Sequence, residues 1–211
     1  MRDHPLFAAA YERVSAPAEA GWLGRLRHGL LSRSSGRVLE IGGGVGANFA
    51  HYPDAVTSVV VCEPDGAMRR RLERRLAHAP PSMTVDVVPG GVPGLDLAGG
   101  SFDTIVCTLV LCTVPDVPGA LAELHGLLHP EGRLLFLEHV ISPGLVGWAE
   151  RAIAPAWQHL AAGCRCDRDT IAALRAADFV VADCERPTVF GRGSARFLVV
   201  GSAVPRVWAS A

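Results

Sequence analysis

From about residue 36 onward, short runs of β-branched and aliphatic residues alternate with stretches whose apolar positions recur every three or four residues. That alternation predicts a mostly parallel sheet covered by helices. The extended runs are Arg37–Ile41, Thr57–Cys62, Met83–Val88, Phe102–Leu109, Gly132–Val140, Phe179–Glu185 and Arg196–Gly201, which makes seven strands. Within Ser58-Val59-Val60-Val61-Cys62 the apolar character is unbroken, as expected of a strand buried on both faces. The clearest helix is Val117 to Leu128, where Ala120, Leu121, Leu124, Leu127 and Leu128 recur at helical spacing. Asp116 stands at its N-cap with Pro118 in the first turn, and His129-Pro130-Glu131-Gly132 ends it. No helix-length segment separates the last two strands, so they are expected to close the sheet as an antiparallel hairpin.

Ahead of the first strand, Leu6, Phe7, Tyr11, Val14, Trp22, Leu23, Leu26, Leu30 and Leu31 read as one or two amphipathic helices. Residues 1–35 are therefore expected to form a helical lid segment and residues 36–211 the main body of one structural domain. The hydrophobic fraction of 49% is high, yet the most apolar stretches are strand-sized, short of the roughly 20 residues a membrane-spanning helix needs. The start, Met-Arg-Asp-His-Pro, lacks the basic-then-apolar order of a signal peptide.

Charge removes one class of partner. The formal net charge is −1 and all 20 basic residues are arginine, with no cationic surface suited to coating a nucleic acid. The run Arg69-Arg70-Arg71 with Arg74 and Arg75 reads as a solvated helix face. Six cysteines lie scattered through apolar segments with no C-x-x-C pair, which suits a reducing cytoplasm and gives no local metal-binding spacing. Cys164-Arg165-Cys166, with one intervening residue, does not make a metal site from those two alone, so no metal is expected.

The most informative segment is Glu40-Ile41-Gly42-Gly43-Gly44-Val45-Gly46-Ala47-Asn48, where the first strand turns toward an expected helix. In an open α/β sheet, ligands bind outside the carboxyl ends of the strands, and glycines there let backbone pass close to a cofactor. A following helix N-terminus would offer free N–H groups to an anionic group. Alone, Gly42-x-Gly44-x-x-Ala47 also satisfies the dinucleotide fingerprint. Glu40 ahead of the glycines and the closing hairpin tilt the reading away from it. Glu63, followed by Pro64 at the end of the second strand, is placed to accept hydrogen bonds from two ribose hydroxyls, which either cofactor class would supply.

These residues resemble the class I S-adenosylmethionine-dependent methyltransferases, and among them the methyltransferase-like group that includes the mammalian alkyl-thiol methyltransferases. The resemblance spans roughly residues 36–201. It is carried by the glycine loop with Phe49 and Tyr52-Pro53, and by Ser101-Phe102-Asp103-Thr104-Ile105-Val106-Cys107-Thr108-Leu109-Val110-Leu111-Cys112-Thr113-Val114. Leu128-His129-Pro130-Glu131-Gly132, Glu138-His139-Val140, Pro155-Ala156-Trp157 and Gly163-Cys164 complete it. It implies a single Rossmann-like, doubly wound sheet of the α/β class, with S-adenosyl-L-methionine as cofactor. Gly42, Gly44, Gly46 and Asn48 would then line the methionine part, with Glu40 ahead of the glycines also counted among the cofactor-binding residues. Glu63 would hold the ribose, and Cys107 and Thr108 would lie beside the pocket. Many relatives carry an acidic residue after the third strand to meet the adenine, whereas this chain has Pro89-Gly90-Gly91-Val92-Pro93, leaving backbone near Gly91 and Val92 for that contact. The mammalian relatives have an apolar N-terminal membrane anchor; this chain starts with amphipathic helices, so that location is not carried over.

The implied reaction is methylation of a small, rather apolar molecule, a thiol before a hydroxyl or amine. Positioning supplies much of the rate of such a transfer. A thiol reacts as thiolate, so a nearby base helps at neutral pH. His139, following the fifth strand, is the candidate base, with a backbone-bonded structural histidine as the alternative. Trp157 and His159 are candidates for the acceptor pocket, and Cys164 reads as a buried, inert thiol. Two other classes stay open, an S-adenosylmethionine-binding protein that transfers no methyl and an NAD(P)-dependent oxidoreductase. Nothing in the sequence sets the oligomeric state.

Overall fold

The computed structural model describes residues 3–76, 83–142, 144–160, 163–187 and 197–206. Its strands are β1 Gly36–Ile41, β2 Val56–Glu63, β3 Thr84–Pro89, β4 Phe102–Thr108, β5 Leu128–His139, β6 Phe179–Glu185 and β7 Leu198–Pro205. Its helices are α1 Pro5–Glu19, α2 Trp22–Leu31, α3 Gly66–Leu76, α4 Val117–Leu127, α5 Gly144–Leu160 and α6 Thr170–Ala176. All seven strands lie in one sheet of order β3-β2-β1-β4-β5-β7-β6. The pairs from β3 through β5 are parallel, and β7 runs antiparallel to both β5 and β6. The sheet is thus the seven-stranded, mostly parallel one that the sequence predicts, with β7 slotted inside the last parallel strand and β6 at the edge.

Two layers of apolar side chains explain the unbroken hydrophobic runs. Leu39, Ile41, Val60, Cys62, Ile105, Cys107, Leu134 and Phe136 face one layer, packed against Leu121 and Leu124 of α4 and Leu174 of α6. Their chain neighbours Val38, Val59, Val61, Val106, Leu135 and Leu137 face the other, against Leu23, Leu30 and Leu31 of α2 and Leu72 of α3. Successive strand residues point to opposite faces, so a strand covered on both sides must be apolar at every position. The Asp116 carboxylate accepts a hydrogen bond from the Gly119 N–H, the cap expected at the start of α4.

Three details differ from the sequence reading. The segment 129–132, expected only as a helix stop, loops out within β5 between the pairing of Phe102 with Leu128 and that of Thr104 with Arg133. The last strand, whose expected first residue Arg196 lies outside the described residues, spans Leu198–Pro205, because Ser202, Ala203 and Val204 continue the ladder to β5 and β6. The arginine face of α3 is more than solvated. Arg71 and Arg75 reach Glu12 at 3.2 and 3.5 Å, and Arg70 reaches Asp3 at 3.2 Å, so α3 holds the N-terminal segment. Such exposed pairs contribute ~0–1 kcal/mol each; the firmer anchor is Ala8, fully buried with Val45, Ala67 and Met68. No described helix is long and apolar enough to cross a membrane.

On β7, next to the edge strand β6, Gly201 pairs with Phe136 and Cys184. A Cβ there would stand 2.2 Å from the Asp183 carbonyl oxygen and 2.8 Å from the Phe136 ring. Backbone on one side and a fully buried ring on the other leave nothing cheap to move. Gly201→Ala is therefore expected to destabilise the chain by about 2 kcal/mol in urea denaturation, within the usual range for overpacking.

Candidate active site

The sheet order reverses between β1 and β4, and in open α/β sheets such a point opens a crevice at the carboxyl ends of the strands. Five strand ends deliver chemistry there: the glycine loop after Ile41, Glu63, the loop after Pro89, Thr108 and His139. The helix expected after the glycines does not form. Residues 44–48 are turns followed by one 3₁₀ turn, Phe49–His51, and Tyr52 is extended at ψ 132°. Pro53 bars the residue before it from helical geometry, which ends the turn at that point. A helix dipole therefore plays no part in this loop.

A chain of buried polar groups holds the loop in place. Asn48 donates through Nδ2 to Glu40 Oε1 and to Thr108 Oγ1, both at 3.0 Å. Tyr52 Oη donates to the other Glu40 oxygen at 2.7 Å. Asn48 Oδ1 in turn accepts from Arg27 Nη1 at 2.8 Å, and Arg27 pairs with Glu19 at 2.9 Å. Glu40 and Asn48 are each 1% exposed and Arg27 3%, so all three meet protein rather than water. Burial pushes the Glu40 carboxyl up to about 7, against the pull of Tyr52, Asn48 and Arg27. Arg27, Glu19 and Tyr52 were not among the residues that sequence reasoning singled out as functional; the first two connect the N-terminal helices to β1 and β4.

The glycines make the loop possible in two ways. Gly42, Gly44 and Gly46 have φ of 65°, 57° and 79°, where side chains are disfavoured. Gly43, which reads as a turn residue, is needed for packing, since a Cβ would stand 2.3 Å from Val61 and 2.6 Å from Leu72. Around Gly44 the reverse holds: among the described residues a Cβ would meet only the Gly42 carbonyl oxygen, at 3.9 Å, so the loop leaves an open cradle. Glu63 borders it, accepting from the Gly44 N–H through one oxygen and from the Asp65 N–H through the other, both at 2.8 Å. A carboxylate has about four acceptor positions, so two remain for a ligand. Pro64 lies against Gly91, 3.6 Å from where a Gly91 Cβ would be. The Val92 side chain packs into the core, leaving its backbone as the group that could meet a ligand. Of the pair Cys107 and Thr108, Thr108 joins the loop network, while Cys107 faces the core at 0% exposure.

The loop after β4 is clamped from both sides. Leu109 sits at φ 57°, and Glu138, 0% exposed, accepts from the N–H groups of Val110, Leu111 and Cys112 at 3.0, 2.9 and 3.4 Å. Arg168 donates to the carbonyls of Leu111 and Val114, and the Arg165 N–H to that of Cys112. Burial lifts the Glu138 carboxyl to about 7, the three N–H groups and Arg168 opposing it. His139 follows, half-buried beside Phe197, with its Nδ1 at 3.7 Å from both Cys112 Sγ and Cys164 Sγ. Burial lowers its basicity. The side chains of Trp157 and His159, on α5, lie outside the described residues.

The fold and this loop define a class I, Rossmann-like α/β domain built to hold a nucleoside cofactor. Its antiparallel β7 sets it apart from the 3-2-1-4-5-6 dinucleotide sheet. Residues 39–136 match the methyltransferase domain family, and the chain has the fold of solved S-adenosylmethionine-dependent methyltransferases. It is 36% identical over 162 residues to thiol S-methyltransferase TMT1B of Homo sapiens, a match covering 74% of this chain and 66%, just under two thirds, of that protein. Among solved structures, an S-adenosylmethionine-dependent methyltransferase from Mesorhizobium loti superposes with TM-score 0.61 at 21% identity, over 86% of this chain and 96% of the other. The [4+2]-cyclase SpnF superposes with TM-score 0.66 at 18% identity, over 89% and 81%.

Removing the guanidinium in Arg27→Met takes the donor from Asn48 Oδ1 and the counter-charge from Glu19, and is expected to cost about 3 kcal/mol in urea denaturation, as for other broken buried pairs. A pH dependence follows from the two buried carboxyls. Raised from 4.5 to about 7, Glu40 and Glu138 each hold a proton that the unfolded chain has released. Their contribution is present below the unfolded value and is lost as pH rises through about 7. Unfolding free energy is therefore expected to fall by on the order of a few kcal/mol between about pH 5 and about pH 8. Denaturation curves at a series of pH values check this.

Proposed function

We propose that this protein transfers the methyl group of S-adenosyl-L-methionine to a small, rather apolar acceptor, a thiol in preference to a hydroxyl or amine. The cofactor supplies an electrophilic methyl on a sulfonium with a good leaving group; the chain's task is to bind, align and exclude water. Glu63 keeps two acceptor positions for a ribose diol, and the cradle at Gly44, in the loop that Asn48 and Glu40 hold, has room for the methionine part. Backbone near Gly91 and Val92, beside Pro64, serves the adenine. Helices α1 and α2 act as the lid, consistent with the burial of Ala8 and with Tyr11, whose hydroxyl is raised first by burial and also by Glu19, Cys112 and Cys164.

The observation that carries the reading is the open cradle at Gly44 with Glu63 at its edge; the candidate for the acceptor's proton is His139. It ends β5 beside the loop after β4, and burial holds it below its ordinary value of 6.5, so at pH 7 it is neutral and able to accept a proton. Likeness to a thiol S-methyltransferase favours the thiol as the proton's source. Trp157 and His159 would line the acceptor side. A reducing cytoplasm, which the scattered cysteines without a C-x-x-C pair suit, is the compartment we assign. Because a protein described as a cyclase shares this fold, release of S-adenosylhomocysteine is the test of transfer.

With S-adenosylmethionine saturating, small thiols are expected to give S-adenosylhomocysteine faster than phenols or amines; release with amines or phenols alone would overturn the thiol assignment. His139→Ala should lower kcat by about 10²-fold or more while leaving the cofactor Kd unchanged. Glu63→Ala should raise that Kd by roughly 10–100-fold, as expected for losing two charge-assisted hydrogen bonds.

A further inference from the structure

Cys112, His139 and Cys164 come from three separate parts of the chain and meet at one point. Cys112 lies in the loop after β4, His139 ends β5, and Cys164 precedes α6. The two sulfurs are 3.5 Å apart, and each is 3.7 Å from His139 Nδ1. Ligands held about 2.3 Å (sulfur) and about 2.0 Å (nitrogen) from a tetrahedral ion stand about 3.8 Å apart for S···S and about 3.5 Å for S···N. The three donors thus already sit at the spacing one ion requires. Cys112 and Cys164 are 1% and 7% exposed, and their soft sulfurs with an imidazole suit zinc rather than a hard cation.

The surroundings fix two of the donors. The Cys112 N–H is held by Glu138 and its carbonyl by the N–H of Arg165, the residue next to Cys164. Both thiols are therefore tied through backbone to the same clamp. Cys166 lies 3.8 Å from Cys164 but falls outside the group in which every donor is within 4.8 Å of the others. Three ligands and one open position characterise catalytic zinc sites, whereas closed sites with four ligands are structural.

From this geometry we infer that Cys112, His139 and Cys164 bind a soft divalent transition-metal ion, zinc by preference, with its fourth position open. For what the ion does, the inference rests on the thiol-methylation reading. An acceptor thiol entering the open position gives its proton to water and is held as thiolate, the form that accepts a methyl group. With the ion bound, His139 serves as a ligand and not as the base. Loss of turnover in His139→Ala fits both roles, so metal binding is the discriminating readout.

The test uses the full chain, reduced and stripped with a chelator, then titrated with Co²⁺ and with Zn²⁺. One equivalent of Co²⁺ is expected to bind with the thiolate-to-cobalt charge-transfer and intense visible bands of a tetrahedral site, and Zn²⁺ should displace it. Cys112→Ser and Cys164→Ser should each weaken binding at least tenfold, with circular dichroism confirming the fold, while Cys166→Ser and Cys184→Ser leave it unchanged. Absence of thiolate bands, or binding indifferent to Cys112→Ser and Cys164→Ser, would overturn the site; loss in Cys166→Ser would overturn the open position. A chain that binds the metal in this way and methylates no thiol would overturn the proposed function and leave the site standing. Undiminished thiol methylation by the stripped chain would overturn the role given to the ion.

Discussion

The glycine loop at the carboxyl edge of this sheet depends on one buried chain of hydrogen bonds, Glu19–Arg27–Asn48–Glu40–Tyr52, with Thr108 attached at Asn48. Buried charge is tolerated only when paired and hydrogen-bonded, and a partly satisfied network costs more than an apolar one. The chain is therefore complete or expensive. It ties α1 and α2 to the loop between β1 and the 3₁₀ turn, so the N-terminal helices and the glycine loop order together. A loop that must present open space beside Gly44 gains its rigidity from beneath rather than from a following helix.

The loop after β4 repeats the device with different groups. There a single carboxylate, Glu138, gathers three successive N–H groups, while Arg168 takes the carbonyls on the other side. Glu40 and Glu138 both project from strands whose neighbours are fully packed, and so are held without flexible supports of their own. The consequence for function is positional. The reacting partners of a group transfer gain most from being aligned, and two clamped loops flanking one crevice provide that alignment.

Much of this was legible in the sequence. Strands buried on both faces must be apolar throughout, so Thr57–Cys62 and Phe102–Leu109 announced themselves, and Asp116 with Pro118 marked the start of α4. Gly42, Gly44, Gly46 and Glu63 could be singled out because strand-to-loop spacing constrains them locally, and Asn48 because the family resemblance implies it. The inward turn of Arg27 was not legible, since an arginine in an amphipathic helix reads as solvent-facing and its partners Asn48 and Glu19 are set only by tertiary packing. The helix expected after the glycines fails because Pro53 comes too soon, a signal that was present in the sequence and outweighed by the loop pattern. Cys112, His139 and Cys164 share no local spacing at all. Their meeting depends on the bulge in β5, the clamp on the loop after β4 and the return of the chain after α5, none of which periodicity reports.

The central claim is that the cradle formed by Gly44, Asn48 and Glu63 holds an adenosyl sulfonium. Calorimetric titration of the purified chain with S-adenosylmethionine, S-adenosylhomocysteine and NADH in parallel tests it most directly. The account predicts that both adenosyl compounds bind at one site and that NADH gives no heat of binding; binding of NADH alone, or of none of the three, would contradict it.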